Sequence, residues 1–400
     1  MSGAPHVFIV AGEESGDRLG AALIAALKDA TGGAVCISGV GGAHMAEAGV
    51  TSPFPLGDLA IMGFAAIPAR LPLILRRIRE AADAVIAADP DVLVIIDSPE
   101  FTHRVARRVR SRARQIPIVD YVCPSVWAWR PGRARAMVNY VDRVLALLPF
   151  EPEAMRRLGG PPTDFVGHPL AEAVERLRPN EEEARRRIAD PPVLLVLPGS
   201  RSAEVRRMAT VFGDAVGLVS ATAGPLDIVV PAVPRLAGLV TQAVAQWPVA
   251  ARVVTEPREK DAAFRIARAA LTKSGTSTLE LAVAGVPMIA AYKVPLFEEA
   301  IARLLVKVDT AILANLVLGE KAVPEFLQRD CTADQLAAAL TPLLSDTPQR
   351  RAQLAALGRL DGIMQIGRAV PSRRAADFVL AAAGFNQSSP AAATSRVPQE

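Results

Sequence analysis

Short runs of β-branched and aliphatic residues alternate with stretches whose apolar positions recur every three or four residues. The first run, 7–10, passes through a glycine-containing loop into a helical pattern over 19–27. Further apolar runs lie at 35–40, 92–96, 116–122 and 144–148. The run at 92–96 has no polar position, as expected of a parallel strand buried on both faces. Residues 171–191 break the rhythm. They are polar and carry Glu181-Glu182-Glu183 before Arg185-Arg186-Arg187, and they read as a linker. A second series follows at 193–197, 226–230, 252–255, 269–272 and 287–291.

Strands alternating with helices predict an α/β chain of βαβ units around parallel sheets. Two series of similar size predict two doubly wound, Rossmann-like domains facing a cleft, 1–170 and 192–385. The last helices are free to pack back on the first domain or on a partner chain. Ligands in such folds bind outside the carboxyl ends of the strands, so the strand-to-helix loops are where chemistry is sought. Residues 386–400 are rich in Ser, Pro and Ala and predict a disordered tail.

Composition narrows the class. Of 400 residues, 51% are apolar and 22% charged, the range of a globular chain. No apolar stretch approaches the ~20 residues of a membrane span, and the N-terminus lacks the basic and apolar regions of a secretory signal. The three cysteines form no C-x-x-C pair, which argues against a disulfide framework or zinc site and for a cytosolic chain. A net charge of +4 is too small to predict a nucleic-acid partner. No cluster of His, Cys and carboxylates has metal-ligand spacing, so neither metal nor cofactor is expected.

Several loops carry candidate chemistry. The first holds Glu13, Ser15, Gly16 and Asp17. Its small residues permit close approach of a ligand, its adjacent acids suit phosphate poorly, and a capped tight turn is the plainer reading. Asp97 follows the buried run 92–96, where a carboxylate serves as a general base or caps the helix expected near Glu100. The segment Pro124-Ser125-Val126-Trp127-Ala128-Trp129-Arg130 holds two of the three tryptophans, with Arg133 and Arg135 just beyond. It reads as a cleft wall with cations for phosphate, or as a core aromatic pair.

In the second half, Gly199, Ser200 and Arg201 form a glycine turn with a guanidinium, which suits a pyrophosphate. Ser274, Gly275 and Thr276 form a second such loop. Glu280 then suits a ribose diol or acts as the N3 acid of a capping box. His168, at the junction of the halves, reads as structural. Residues 61–79 are apolar, proline-containing and then basic. Phe64, Ile67, Leu71, Leu73, Ile74, Arg76 and Arg77 there fit a membrane-interface segment or an ordinary packed helix.

Taken together, these segments resemble the lipid-A-disaccharide synthases, the glycosyltransferases of bacterial outer-membrane lipid assembly. The likeness runs from Val10 to about Leu340. It is carried by Ala11-Gly12-Glu13 with Ser15-Gly16-Asp17, Gly39-Val40-Gly41-Gly42, Met62-Gly63, Ile96-Asp97, residues 124–130, Leu148-Pro149-Phe150-Glu151, 166–169, 198–201, 274–280 and Val323-Pro324-Glu325. The run 124–130 is the most specific.

The resemblance implies an inverting GT-B enzyme. It would join UDP-2,3-diacylglucosamine to 2,3-diacylglucosamine 1-phosphate in a β-1,6 linkage and release UDP. The donor would sit on Gly199, Ser200, Arg201, Ser274, Gly275, Thr276, Glu280, Asn315 and Gln328. Asp97 would be the base, and the acceptor would lie on the first half. The implied partners are acylated glucosamine lipids, UDP and an anionic membrane surface, with room for a homodimer. The implied place is the cytoplasmic face of the inner membrane. Four positions depart from the family's habit: Glu14 for Ala, Ala66 for an acid, Cys123 for Ser and Ala314 for Pro. Two rivals remain open, another UDP-sugar enzyme on the same fold and a non-catalytic membrane-surface or nucleotide-binding module.

Overall fold

In the computed structural model, the strands of residues 3–59, 67–295, 309–368 and 370–385, the described part of the chain, form two wholly parallel six-stranded sheets. The first contains β1 (His6–Ala11), β2 (Cys36–Val40), β3 (Val92–Ile96), β4 (Ile118–Tyr121), β5 (Arg143–Ala146) and β6 (Thr163–Phe165), in the order β2-β1-β3-β4-β5-β6. The second contains β7 (Val193–Leu197), β8 (Asp227–Pro231), β9 (Arg252–Val254), β10 (Ala269–Lys273), β11 (Met288–Tyr292) and β12 (Glu325–Leu327), in the order β12-β11-β10-β7-β8-β9. Met62, Gly63, Phe64, Ala66 and the tail 386–400 lie outside the described residues, as does the side chain of Ile67.

Each sheet separates two apolar layers. Alternate residues of β3 divide between them: Leu93 and Ile95 join Phe8, Val105 and Ile118, while Val92, Val94 and Ile96 join Ile9, Leu23 and Leu27. The unbroken apolar sequence of β3 follows from this, because both faces are covered. Register then sets function. Ala11 pairs with Ile96, and Ile96 with Tyr121, so the loops leaving β1, β3 and β4 stand side by side. Thr272 pairs with Leu197, which does the same for the loops leaving β7 and β10.

The stretch read as a linker is structured. It carries helices Val174–Leu177 and Glu181–Ile188, the second opened by a reciprocal capping box between Asn180 and Glu183. The Arg187 guanidinium donates to the carbonyls of Phe264, Arg265, Ala284 and Gly285, so this helix is anchored on the second sheet's helices. Its polarity made the run read as a linker, but a half-buried arginine can satisfy helix-end carbonyls and so bind a charged helix to its neighbours.

Among the described residues, two features besides the connecting chain join the halves. Trp127 and Phe150 pack against the apolar cluster of the second domain, which also contains Leu148. The helix Pro371–Ala382 returns to the first domain, where Ala375, Ala376, Val379 and Leu380 complete the core layer beneath Leu23 and Leu27. Ser372 N donates to Glu172 (2.8 Å), and Arg374 donates to the carbonyl of Phe165 (2.7 Å). No helix among the described residues is long and apolar enough to cross a membrane.

Candidate active site

The turn after β3 is strained. Asp97 and Ser98 both have left-handed backbones, with φ of 54° and 47°. Such residues cost about 1–3 kcal/mol each and cluster at functional sites. Gly12 makes the turn possible, because a Cβ there would lie 2.4 Å from Ser98 Cβ. The Asp97 carboxylate does not cap a helix: the helix Thr102–Arg112 has Phe101 at its N-cap with no side-chain cap. It accepts instead from Ser98 N (2.7 Å) and from Ser15 Oγ (2.9 Å).

Glu13 lies beside Asp97. Burial, then the Asp97 charge and a hydrogen bond with Asp97, raise its carboxyl above the usual range, while Ser15 and Arg201 pull it down. Arg201 belongs to the second domain, and its charge acts on Glu13 without a direct ion pair between them among the described contacts.

Behind the turn sits a buried pair that sequence reading missed. His103 Nε2 is 3.1 Å from Asp120 Oδ2, off the line of a good hydrogen bond, and His103 Nδ1 is 3.1 Å from Tyr140 Oη. Burial raises the Asp120 carboxyl, His103 lowers it, and the Asp97 charge adds to the rise.

Other acceptor candidates have structural duties. Asp17 is buried and accepts from Gly42 N (2.7 Å), His44 N (2.9 Å) and Met45 N (3.1 Å), holding the next helix. Gly16 lets the helix Glu14–Ala30 approach the carbonyl of Ile96, which a Cβ would meet at 3.1 Å. Trp127 donates to Glu151 Oε1 (3.2 Å) and stands edge-on to Phe150, so it is an inter-domain core residue rather than an open cleft wall. Glu151 also accepts from Leu147 N and Leu148 N, and burial lifts its carboxyl to about 7 against those donors. Ser125 is exposed, and its carbonyl accepts from Ala128 N and Trp129 N. The Trp129 ring carries the guanidinium of Arg130 at 4.4 Å.

On the second domain, Gly199 has φ of 133°. A Cβ there would lie 2.6 Å from Glu204 Cβ. Glu204 fills that space, accepting from Ser200 N (3.0 Å) and Arg201 N (3.3 Å) and pairing with Lys273 (3.1 Å). The loop is therefore not a row of free N–H groups for a diphosphate. Its cationic surplus comes from Arg201, whose side chain is 77% exposed, and from Lys273. Burial opposes ionisation of Glu204, but Lys273, Ser200 N and Arg201 hold its carboxyl below the usual range.

Ser274 is buried and donates to the carbonyl of Ala311 (3.2 Å), and Thr278 donates to that of Gly275 (2.7 Å). Thr276 makes no side-chain cap, so Glu280 is not a capping-box acid; it pairs with Lys260 (3.1 Å). Asn315 is buried, with its amide spent on both backbone groups of Val323 (2.9 Å each). Gln328 clasps Val294 N and O at 2.6 and 3.2 Å. Glu325 accepts from Thr310 Oγ1 and Ala311 N.

A family model described as Lipid-A-disaccharide synthetase matches residues 7–377. The chain belongs to the lipid-A-disaccharide synthase family. The lipid-A-disaccharide synthase of Nitrobacter hamburgensis is 59% identical over 375 residues, 94% of this chain and 95% of that one. Among solved structures, Acinetobacter baumannii MurG superposes with a TM-score of 0.59 at 15% identity, covering 94% of this chain and 99% of that one. The S. aureus MnaA–UDP co-structure gives 0.62 at 12% identity, covering 96% and 98%. These two likenesses concern the fold, a pair of Rossmann-like domains.

Membership in the lipid-A-disaccharide synthase family changes how the remaining segments read. Of its four departures, Glu14 pairs with Arg18 in solvent (2.5 Å), and Cys123 and Ala314 are buried. The single Asp-x-Asp sequence, Asp89-Pro90-Asp91, lies at the opposite end of β3 from Asp97, where Asp91 accepts from His6 N (2.7 Å). His168 Nδ1 accepts from Leu170 N (3.1 Å), and burial pushes its imidazole down to about 4, which fits a structural histidine.

The amphipathic helix Ile67–Ala88 is mixed. Ile78 is buried and Ile74 packs on the core, Leu73 is half-buried, and Leu71 and Leu75 are 41% and 39% exposed. Arg77 is tied to Asp58 and Glu80 and lies over the Phe54 ring, whereas Arg76 is largely exposed.

Proposed function

We infer that the chain transfers diacylglucosamine from its UDP carrier to the 6-hydroxyl of 2,3-diacylglucosamine 1-phosphate, with inversion at the anomeric carbon. The observation that carries this reading is the Asp97 carboxylate at the lip of β3, held by Ser98 N and Ser15 Oγ on a strained turn, in a chain of this family. Asp97 takes the proton of the acceptor hydroxyl as its oxygen attacks the anomeric carbon. The bond from that carbon to the diphosphate oxygen breaks, and UDP leaves with the electron pair. Arg201 and Lys273 face the developing charge, the usual means of stabilising such a leaving group. Glu280, paired with Lys260, suits the ribose hydroxyls.

Both lipids sit in a bilayer, so the protein must reach a membrane surface. Leu71 and Leu75, with Arg76 and Arg79 beside them, are the exposed apolar and basic groups that support this role. Incubation with both lipid substrates is expected to release UDP and form the disaccharide 1-phosphate with β configuration. Release of UDP without a disaccharide, or turnover of unacylated sugars alone, overturns the reading.

A further inference from the structure

Glu100 stands three residues past Asp97 on the same turn, and three guanidinium groups converge on it. Arg133 Nη2 and Arg130 Nη1 donate to Oε1, the latter at 3.1 Å, and Arg104 Nη2 approaches Oε2 at 3.9 Å. Three cations around one carboxylate leave two positive charges unbalanced. Stability does not account for the arrangement, because exposed ion pairs contribute only about 0–1 kcal/mol, and Glu100, Arg130 and Arg104 are about half exposed. Yet the cluster is built. Arg133 is only 15% exposed, the Trp129 ring supports Arg130 at 4.4 Å and Arg133 at 5.9 Å, and Arg130 holds a left-handed backbone with φ of 52°.

We propose that Arg104, Arg130 and Arg133 form the subsite for the anomeric phosphate of the acceptor, with the Glu100 carboxylate occupying it in the free protein. The proposal rests on the acceptor inferred above. A phosphomonoester brings up to two negative charges and three acceptor oxygens, the complement of this surplus, and guanidinium forks bind it in a defined orientation. The carbons that carry the phosphate (C1) and the reacting hydroxymethyl group (C5) flank the ring oxygen of one sugar, so two groups on one short turn can address both. Asp97 and Glu100 lie at opposite ends of one short turn. A phospholipid headgroup offers similar chemistry, but the cluster shares its turn with Asp97 rather than with the exposed Leu71 and Leu75.

Transfer onto the acceptor is compared with transfer onto the same diacylglucosamine lacking its phosphate, in nonionic micelles free of anionic lipid. The wild type is expected to prefer the phosphorylated acceptor in kcat/KM. Arg130→Ala and Arg133→Lys are expected to shrink that preference about 10- to 100-fold, mainly through KM. Glu100→Gln frees the guanidinium groups and is expected to lower KM for the phosphorylated acceptor. Arg130 is half exposed, so its substitution does not endanger the fold. An unchanged preference in the arginine variants, or a raised KM in Glu100→Gln, overturns the subsite. So does loss of binding to anionic vesicles with the preference intact, which assigns the cluster to a headgroup. A wild type that uses neither acceptor overturns the inferred activity as well.

Discussion

The Ser15 hydroxyl donates to Asp97 Oδ2 at 2.9 Å, tying the loop after β1 to the turn after β3. The other carboxylate oxygen is held by Ser98 N at 2.7 Å. Together they set the direction in which Asp97 presents its remaining lone pairs. Asp97→Asn keeps the shape and removes the base, so kcat is expected to fall about 10²- to 10⁴-fold with circular dichroism and UDP binding unchanged. Near-normal turnover in the Asn variant removes Asp97 from that role.

Ser15→Ala tests the orientation itself. Loss of one hydrogen bond to a carboxylate is worth about 1.5 kcal/mol, roughly tenfold in kcat/KM. In the Asp97→Asn background the same change is expected to add little, because the two act as a unit. Fully additive losses dissociate Ser15 from Asp97.

Glu204 and Lys273 are 5% and 17% exposed, and their pairing ties the first turn of the helix Ser202–Ala223 to the end of β10. Glu204→Gln leaves Lys273 inside with a neutral partner, at a cost of about 3 kcal/mol. The midpoint of urea unfolding reports this, and an unchanged midpoint refutes a stabilising role for the pair.

Stability responds to pH at two opposed sites. The Glu151 carboxyl rises from 4.5 to about 7 on folding, mainly through burial. The folded protein therefore binds the extra proton between those values. This contribution is full below 4.5 and is lost as pH rises through about 7. His168 falls from 6.5 to about 4, so its contribution is full above 6.5 and is lost as pH falls toward 4. Glu151→Gln is expected to remove the decline between pH 5 and 7 and leave the acid-side loss. An unaltered slope in urea midpoints across that range sinks the assignment to Glu151.

Membrane contact through the helix Ile67–Ala88 is expected to depend on Leu71 and Leu75. Serine at both positions should reduce sedimentation with anionic vesicles while the fold and UDP binding persist. High salt should weaken the wild-type interaction only in part, because apolar insertion is not screened. Undiminished sedimentation places the contact elsewhere.

β3 and β7 were legible to the residue, because a strand covered on both faces shows as an unbroken apolar run. β6 and β12 were not. Each is a three-residue edge strand, Thr163-Asp164-Phe165 and Glu325-Phe326-Leu327, too short and too polar to form such a run. The place of Asp97, just past β3, was legible for a similar reason: the end of a buried strand can be located from the chain alone. Glu204 was hidden because its partner Lys273 lies on another strand, and because Arg201, not Ser or Thr, stands at the N-cap of its helix. Asp17 and Trp127 were visible as residues, but the side each presents depends on neighbours far along the chain.

The helix Pro371–Ala382 supplies four buried residues to the domain in which the chain begins. During synthesis, domains form as units from the N-terminus onward. This first domain lacks part of its interior until residues 371–382 have left the ribosome. Its apolar surface around Leu23 and Leu27 stays uncovered while the second domain is being made. Fusions or truncations that end before residue 371 therefore meet the cell's quality control as an unfinished first domain, whatever the integrity of the second.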